Sequence, residues 1–202
     1  MNVHVEEHRD DIGAKLGMWL FIFTELLLFG GLFLVYAIYR VTYSEQFHTA
    51  ALELNAFLGA ANTVILLVSS MTVAMSITAI QKGDKKLALI LLGITLLLAA
   101  GFLVNKYFEW GHKIHLGIYP GSDLIMKFER GELLFFGLYY FMTGLHAFHI
   151  IVGMVLLSII FLKVRNGSIH AERFVLLENG GLYWHLVDLI WIFLFPLLYL
   201  IT

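Results

Sequence analysis

The chain has 202 residues, of which 60% are hydrophobic and 14% charged, and its net charge is −2 from 15 acidic and 13 basic side chains. A soluble domain carries about 25% charged residues, so the deficit marks a membrane protein, and the balanced charge gives no reason to expect nucleic acid as a partner. No cysteine is present, which excludes disulfides, thiolate zinc sites, iron–sulfur clusters and cysteine nucleophiles.

Residues 1–15 mix acids and bases (Glu6, Glu7, Arg9, Asp10, Asp11) without an apolar core, so no cleavable leader is expected there. A spanning helix needs about 20 mostly apolar residues. Five segments meet that length in chain order: 16–39, 56–80, 87–110, 133–162 and 174–201. The fourth is longer than a bilayer requires, which predicts tilt or a protruding end. Pro196 falls inside the fifth and is expected to perturb it locally. The connections are 40–55, 81–86, 111–132 and 163–173, none long enough to insert a soluble domain. Lipid forbids unpaired backbone, and the alternation of a barrel is absent. The expected fold is an all-α membrane protein, a single domain over 1–202 built as a bundle of five transmembrane helices.

Basic residues set the expected orientation. With the N-terminus in the cytoplasm, eight lysines and arginines lie inside, three of them in the turn around Gly83, against five outside. Thr202 then lies outside. No internal repeat of the kind that builds inverted-repeat transporters is visible.

Ionisable groups inside a span cost about 2.5–3.5 kcal/mol each and need a reason to be there. Glu25 stands about nine residues into the first span, roughly 14 Å deep. It is either protonated or matched by a partner within the bundle, as an interhelical hydrogen bond or as a site touching protons, oxygen or a lipid headgroup. Lys106 and Glu109 are three apart on the third span and are expected to pair. Glu109 and His112 have one copy of a di-iron ligand spacing that normally occurs twice in a bundle. His146 and His149 share a face of the fourth span, and His185 and Asp188 repeat that spacing on the fifth. These four are read first as a hydrogen-bonded network, with Asp188 accepting from the His185 imidazole, and second as metal ligands. His4 and His8 belong to a solvated tail or to a proton relay. The glycines at 30–31, 93, 101, 137, 144, 153 and 180–181 allow close helix approach or grooves that lipid tails fill.

Read in order, these residues resemble subunit III of the haem–copper terminal oxidases. The likeness runs through Phe23-Thr24-Glu25-Leu26-Leu27-Leu28-Phe29, Lys106-Tyr107-Phe108-Glu109, Gly144-Leu145-His146-Ala147-Phe148-His149 and Leu182-Tyr183-Trp184-His185-Leu186-Val187-Asp188. The last two motifs carry most of it. The resemblance implies a non-catalytic accessory subunit of an oxygen-reducing, proton-pumping cytochrome c or quinol oxidase. It implies a direct seat on subunit I, with subunit II in the same complex, in a bacterial plasma membrane. Haem and copper are then held by partner subunits and not by this chain. It further implies a cleft that binds phospholipids and a role in sustaining proton uptake. Glu25, Glu109, His146, His149, Trp184, His185 and Asp188 are the residues expected to shape that cleft or its polar network. Many members of the family have seven helices, and this chain matches the last five, so its lipid cleft is expected to be more open or completed by a neighbour. Lys106 stands where many relatives carry an acid, so no acidic role transfers to it. Three other readings stand beside this one: a related accessory subunit of a nitric oxide reductase system, an independent membrane metalloprotein using His146, His149, His185 and Glu109, and a small transporter or channel with Glu25 as its proton site.

Overall fold

The computed structural model describes residues 10–201. His4, His8 and Thr202, with the expectations attached to them, lie outside the described residues. Six α-helices follow one another: α1 Asp11–Thr42, α2 Ser44–Leu52, α3 Ala56–Gln81, α4 Lys85–His115, α5 Arg130–Arg165 and α6 Val175–Tyr199. Five of them, all but α2, are long and apolar enough to cross a membrane.

Polar residues decide where the helices begin. Asp10 accepts from the Gly13 amide at 2.7 Å, Asn55 from Leu58 at 3.1 Å and Asp84 from Leu87 at 2.9 Å, each satisfying an amide that has no helical partner. The α3–α4 turn closes on Gly83, whose φ of +77° suits glycine and few other residues. Its neighbour Asp84 then donates back to Ala79 at 2.9 Å.

The first four expected spans are all longer in the structure, and α5 reaches 36 residues, or about 54 Å. The excess length expected of that span, to be taken up as tilt or a protruding end, is therefore large. The fifth is shorter than expected and ends at Tyr199. Pro196 has no amide hydrogen to donate, and the helix continues only to Tyr199 beyond it, Leu200 donating back to the Pro196 carbonyl at 3.4 Å. The connection expected over 40–55 is mostly the short helix α2, which buries Phe47, Ala50 and Ala51 and packs chiefly on α5.

Helices α3, α4, α5 and α6 form a closed ring of neighbours, each packed on the next, with α6 returning to α3. Helix α1 stands outside that ring, mainly on α6 and to a lesser extent on α5. The two run parallel. Phe21 stacks on Tyr183, Phe33 meets Phe193, and the Tyr36 hydroxyl donates to the Leu197 carbonyl. Helix α6 buries one broad face, through Leu177, Trp184, Val187, Trp191, Leu194 and Leu198, and leaves a stripe of Leu189, Ile192 and Phe193 exposed. Between helices in lipid, close packing and hydrogen bonds replace the hydrophobic effect. Glycines set how close they come: a Cβ at Gly180 would stand 2.3 Å from Ile160 Cδ1, and one at Gly181 2.8 Å from Ile77 Cδ1. Gly30, Gly31, Gly93, Gly101 and Gly137 meet nothing within 4 Å and hold no such approach.

Candidate functional site

The ring encloses a buried ion pair. Lys106 Nζ stands 3.1 Å from Glu109 Oε2, as the spacing predicts, with only 2% of Lys106 exposed. Tyr139 and Tyr199 donate to Glu109 Oε1 at 2.6 and 2.5 Å, and Lys106 donates to Tyr199 Oη at 2.9 Å. The ammonium also lies over the Tyr139, Trp191 and Tyr199 rings at 5.2, 5.3 and 5.5 Å. Three helices thus close on one pair whose lone pairs and protons are satisfied, as a charge pair in hydrocarbon requires. His112, the next residue of the Glu-x-x-His spacing, is exposed.

A second pair joins α1 to α5. His149 Nδ1 stands 2.8 Å from the Leu145 carbonyl, an acceptor only, so Nδ1 carries hydrogen. The other ring nitrogen, Nε2, lies 3.1 Å from Glu25 Oε2. This ion-pair contact is the partner within the bundle that a carboxyl group at the depth of Glu25 calls for. Phe29 meets the His149 ring edge-on at 5.6 Å, and Tyr183 donates to the His149 carbonyl at 3.0 Å.

His146 parts company with His149. It is fully buried between Phe102 and Trp191, at centroid distances of 5.6 and 5.2 Å, and neither ring nitrogen has a hydrogen-bond partner. Of the two, only His149 approaches an ionisable side chain of another helix, Glu25 on α1, and the expected interhelical hydrogen bond forms at neither imidazole. The expected His185–Asp188 pair is likewise corrected. His185 Nδ1 bonds Ser70 Oγ on α3 at 2.5 Å, Asp188 also faces Ser70, and Asp188 Oδ1 is left without a partner. The two residues are one helical turn apart, and a serine from the neighbouring helix satisfies the imidazole first. Trp184 donates its indole N–H to Ser69 Oγ at 3.0 Å.

Glu25, His149, Glu109, His146, His185 and Asp188 therefore do not converge on one point. Among the described residues no three histidine or carboxylate side chains stand together as a metal would require. Sequence reasoning missed Tyr139, Tyr199, Ser69 and Ser70, which read as ordinary residues of apolar helices. It also missed Lys15, paired with Glu178 at 2.7 Å, because 163 positions separate the two. Alongside α6, Leu26, Phe29, Gly30, Phe33, Leu189, Ile190 and Phe193 line an open apolar groove of about 180 Å³.

Five helices long and apolar enough to cross a membrane define a multi-pass helical membrane protein. The sequence profile of the family described as cytochrome c oxidase subunit III matches residues 4–202. The chain is 32% identical over 200 residues to "Cytochrome c oxidase subunit 3" of Thermostichus vulcanus, covering 98% of this chain and 92% of the relative. It is 28% identical over 206 residues to "Cytochrome bo(3) ubiquinol oxidase subunit 3" of Pseudomonas aeruginosa, covering 98% and 90%. It is also 31% identical over 191 residues to "Heme-copper oxidase subunit I+III" of Aeropyrum pernix, covering 91% of this chain and 22% of that longer polypeptide. The chain belongs to the cytochrome c oxidase subunit III family of the haem–copper oxidases.

Proposed function

We propose that the chain is the accessory subunit III of a proton-pumping haem–copper oxidase in a bacterial plasma membrane, seated directly against subunit I, with its N-terminus cytoplasmic and its C-terminus outside. The observation that carries this reading is the family match over almost the whole chain, together with a relative named for subunits I and III in one polypeptide. Haem and copper reside in the partner subunits, and this chain contributes helix surface and bound lipid. The apolar groove along α1 and α6 is the place for an acyl chain. Its lining is almost entirely hydrocarbon, and Gly30 leaves open space where a side chain would stand. Lipid held there, and the helix surface around it, support the catalytic subunit and maintain its proton uptake.

Mild solubilisation followed by purification through this chain tests the assignment. A larger, haem-bearing subunit should co-purify in equal amount. A chain that emerges alone and colourless, under conditions that keep other respiratory complexes whole, would reject it.

Glu25→Gln tests the role of the Glu25–His149 pair. A glutamine amide can donate to His149 Nε2, so the bundle should assemble at close to the normal yield. Lipid retained on purification, or the number of turnovers before the oxidase inactivates, should fall. Loss of assembly would make the carboxylate a structural anchor and end the functional reading of Glu25.

A further inference from the structure

Two cavities lie at the end of the bundle that holds Lys15 and the Gly83 turn. One, of about 380 Å³, is lined by Asp10, Asp11, Lys163, Ser168 and Asn179 among others. The second, of about 350 Å³, is lined by Lys15, Trp19, Ile77, Glu178, Asn179 and His185. Asn179 borders both. It is 8% exposed, its amide donates to the Ala14 carbonyl at 3.1 Å, and its Oδ1 has no partner in the protein.

Deeper along the same helix come His185, bonded to Ser70, and then Asp188, 6% exposed with Oδ1 unpartnered. Asp188 is 13 residues beyond the start of α6 at Val175, about 20 Å into the helix and so near the middle of the hydrocarbon. Buried acceptors without protein partners are normally satisfied by ordered water, and the second cavity has room for roughly ten molecules at about 30 Å³ each.

We propose that the two cavities form one hydrated inlet, entered beside Asp10 and Lys163, that carries water past Asn179 and His185 to Asp188 in mid-membrane. Its ligand is water, and with water come exchangeable protons. The charged groups that face it cluster at the mouth, where Asp10, Asp11, Lys163 and Arg173 line the first cavity. Further in, Lys15 from α1 and Glu178 from α6 pair with each other, and α3 contributes Ile77 to the wall of the second. Glu25 is engaged by His149 on α5 and does not take part. Asp188 is thus the ionisable end of the path. The inlet is separate from the apolar groove, which touches α6 further along, from Leu189 to Phe193, so either can fail without the other.

The chain contains no cysteine, so a single introduced thiol is unique within it. Ser70→Cys places one beyond the cavity wall, between His185 and Asp188, with the change of a single atom, and His185→Cys places a second on the wall itself. Ser69→Cys is the control, adjacent in sequence but fully buried under the Trp184 indole. Membrane vesicles of both orientations, carrying the assembled complex, are treated with a small, charged, membrane-impermeant thiosulfonate, and labelling is followed on this chain. Only the thiolate reacts, and it forms where water reaches. Ser70→Cys and His185→Cys should label at least about tenfold faster than Ser69→Cys, from the side bearing the 82–86 turn alone. Three results would overturn the inlet. The first is resistance at both positions while Asn179→Cys reacts, which stops the water at Asn179. The second is reaction only after detergent has stripped lipid, which makes the cavity a headgroup site. The third is labelling from the opposite face.

Discussion

Glu109→Leu is expected to destabilise the folded chain by about 3–5 kcal/mol, the usual cost of stranding one partner of a buried ion pair. Lys106 would keep only tyrosine oxygens and aromatic faces around an ammonium that is 2% exposed. Neutral dipoles and ring faces cannot replace a carboxylate at 3.1 Å in hydrocarbon. Lys106→Met should be milder, because Tyr139 and Tyr199 still donate to Glu109 Oε1. The double variant Lys106→Met/Glu109→Leu should recover at least half of the loss, since no unmatched charge remains. Denaturant or thermal unfolding of the purified chain in one fixed detergent reads all three. A loss below about 1 kcal/mol for Glu109→Leu would mean that the ammonium finds water, and the network would not be the closed clamp described here.

The second large effect falls at Gly153. A Cβ there would lie 2.9 Å from Cε3 and Cζ3 of Trp184 and 3.0 Å from Cε1 of Tyr183. Neither ring retreats easily. The Trp184 indole is tied to Ser69, and the Tyr183 hydroxyl to the His149 carbonyl. Overpacking of this kind typically costs about 1–3 kcal/mol, so Gly153→Ala should lower the unfolding midpoint clearly and Gly153→Val more so. Gly30→Ala is the matched comparison, since its new methyl meets nothing within 4 Å and should leave stability unchanged. Wild-type stability in Gly153→Ala would show that α5 and α6 slide apart at little cost.

The spans were legible because hydrocarbon imposes one rule on every residue of a crossing segment, and a rule of that kind reads directly from the sequence. The Lys106–Glu109 pair was legible for a similar reason, since three residues on a helix fix a common face. The partners of His149 and His185 were not. Those come from α1 and α3, and which residue of a neighbouring helix lies opposite depends on rotation and crossing angle, which local spacing does not encode. Ser70 outcompetes Asp188 for the His185 imidazole for that reason. Helix α2 was hidden because Ser44–Leu52 is too short and too polar to register as a span, and its apolar residues gain a purpose only when α5 is beside them. The glycines looked alike in sequence, yet only some press against a neighbour. Gly153, Gly180 and Gly181 do, while Gly93 and Gly101 do not.

The parallel seating of α1 on α6 bears on how the polypeptide is made. The ribosome delivers α1 first and its chief partner last, with Lys15 and Glu178 at one end of their contact and Tyr36 and Leu197 at the other. Until α6 is made, the earliest helix has only α2 and α5 to pack on and stays available to insertion factors or to another subunit. A nascent chain arrested before residue 178 should therefore hold α1 more loosely than the finished chain does.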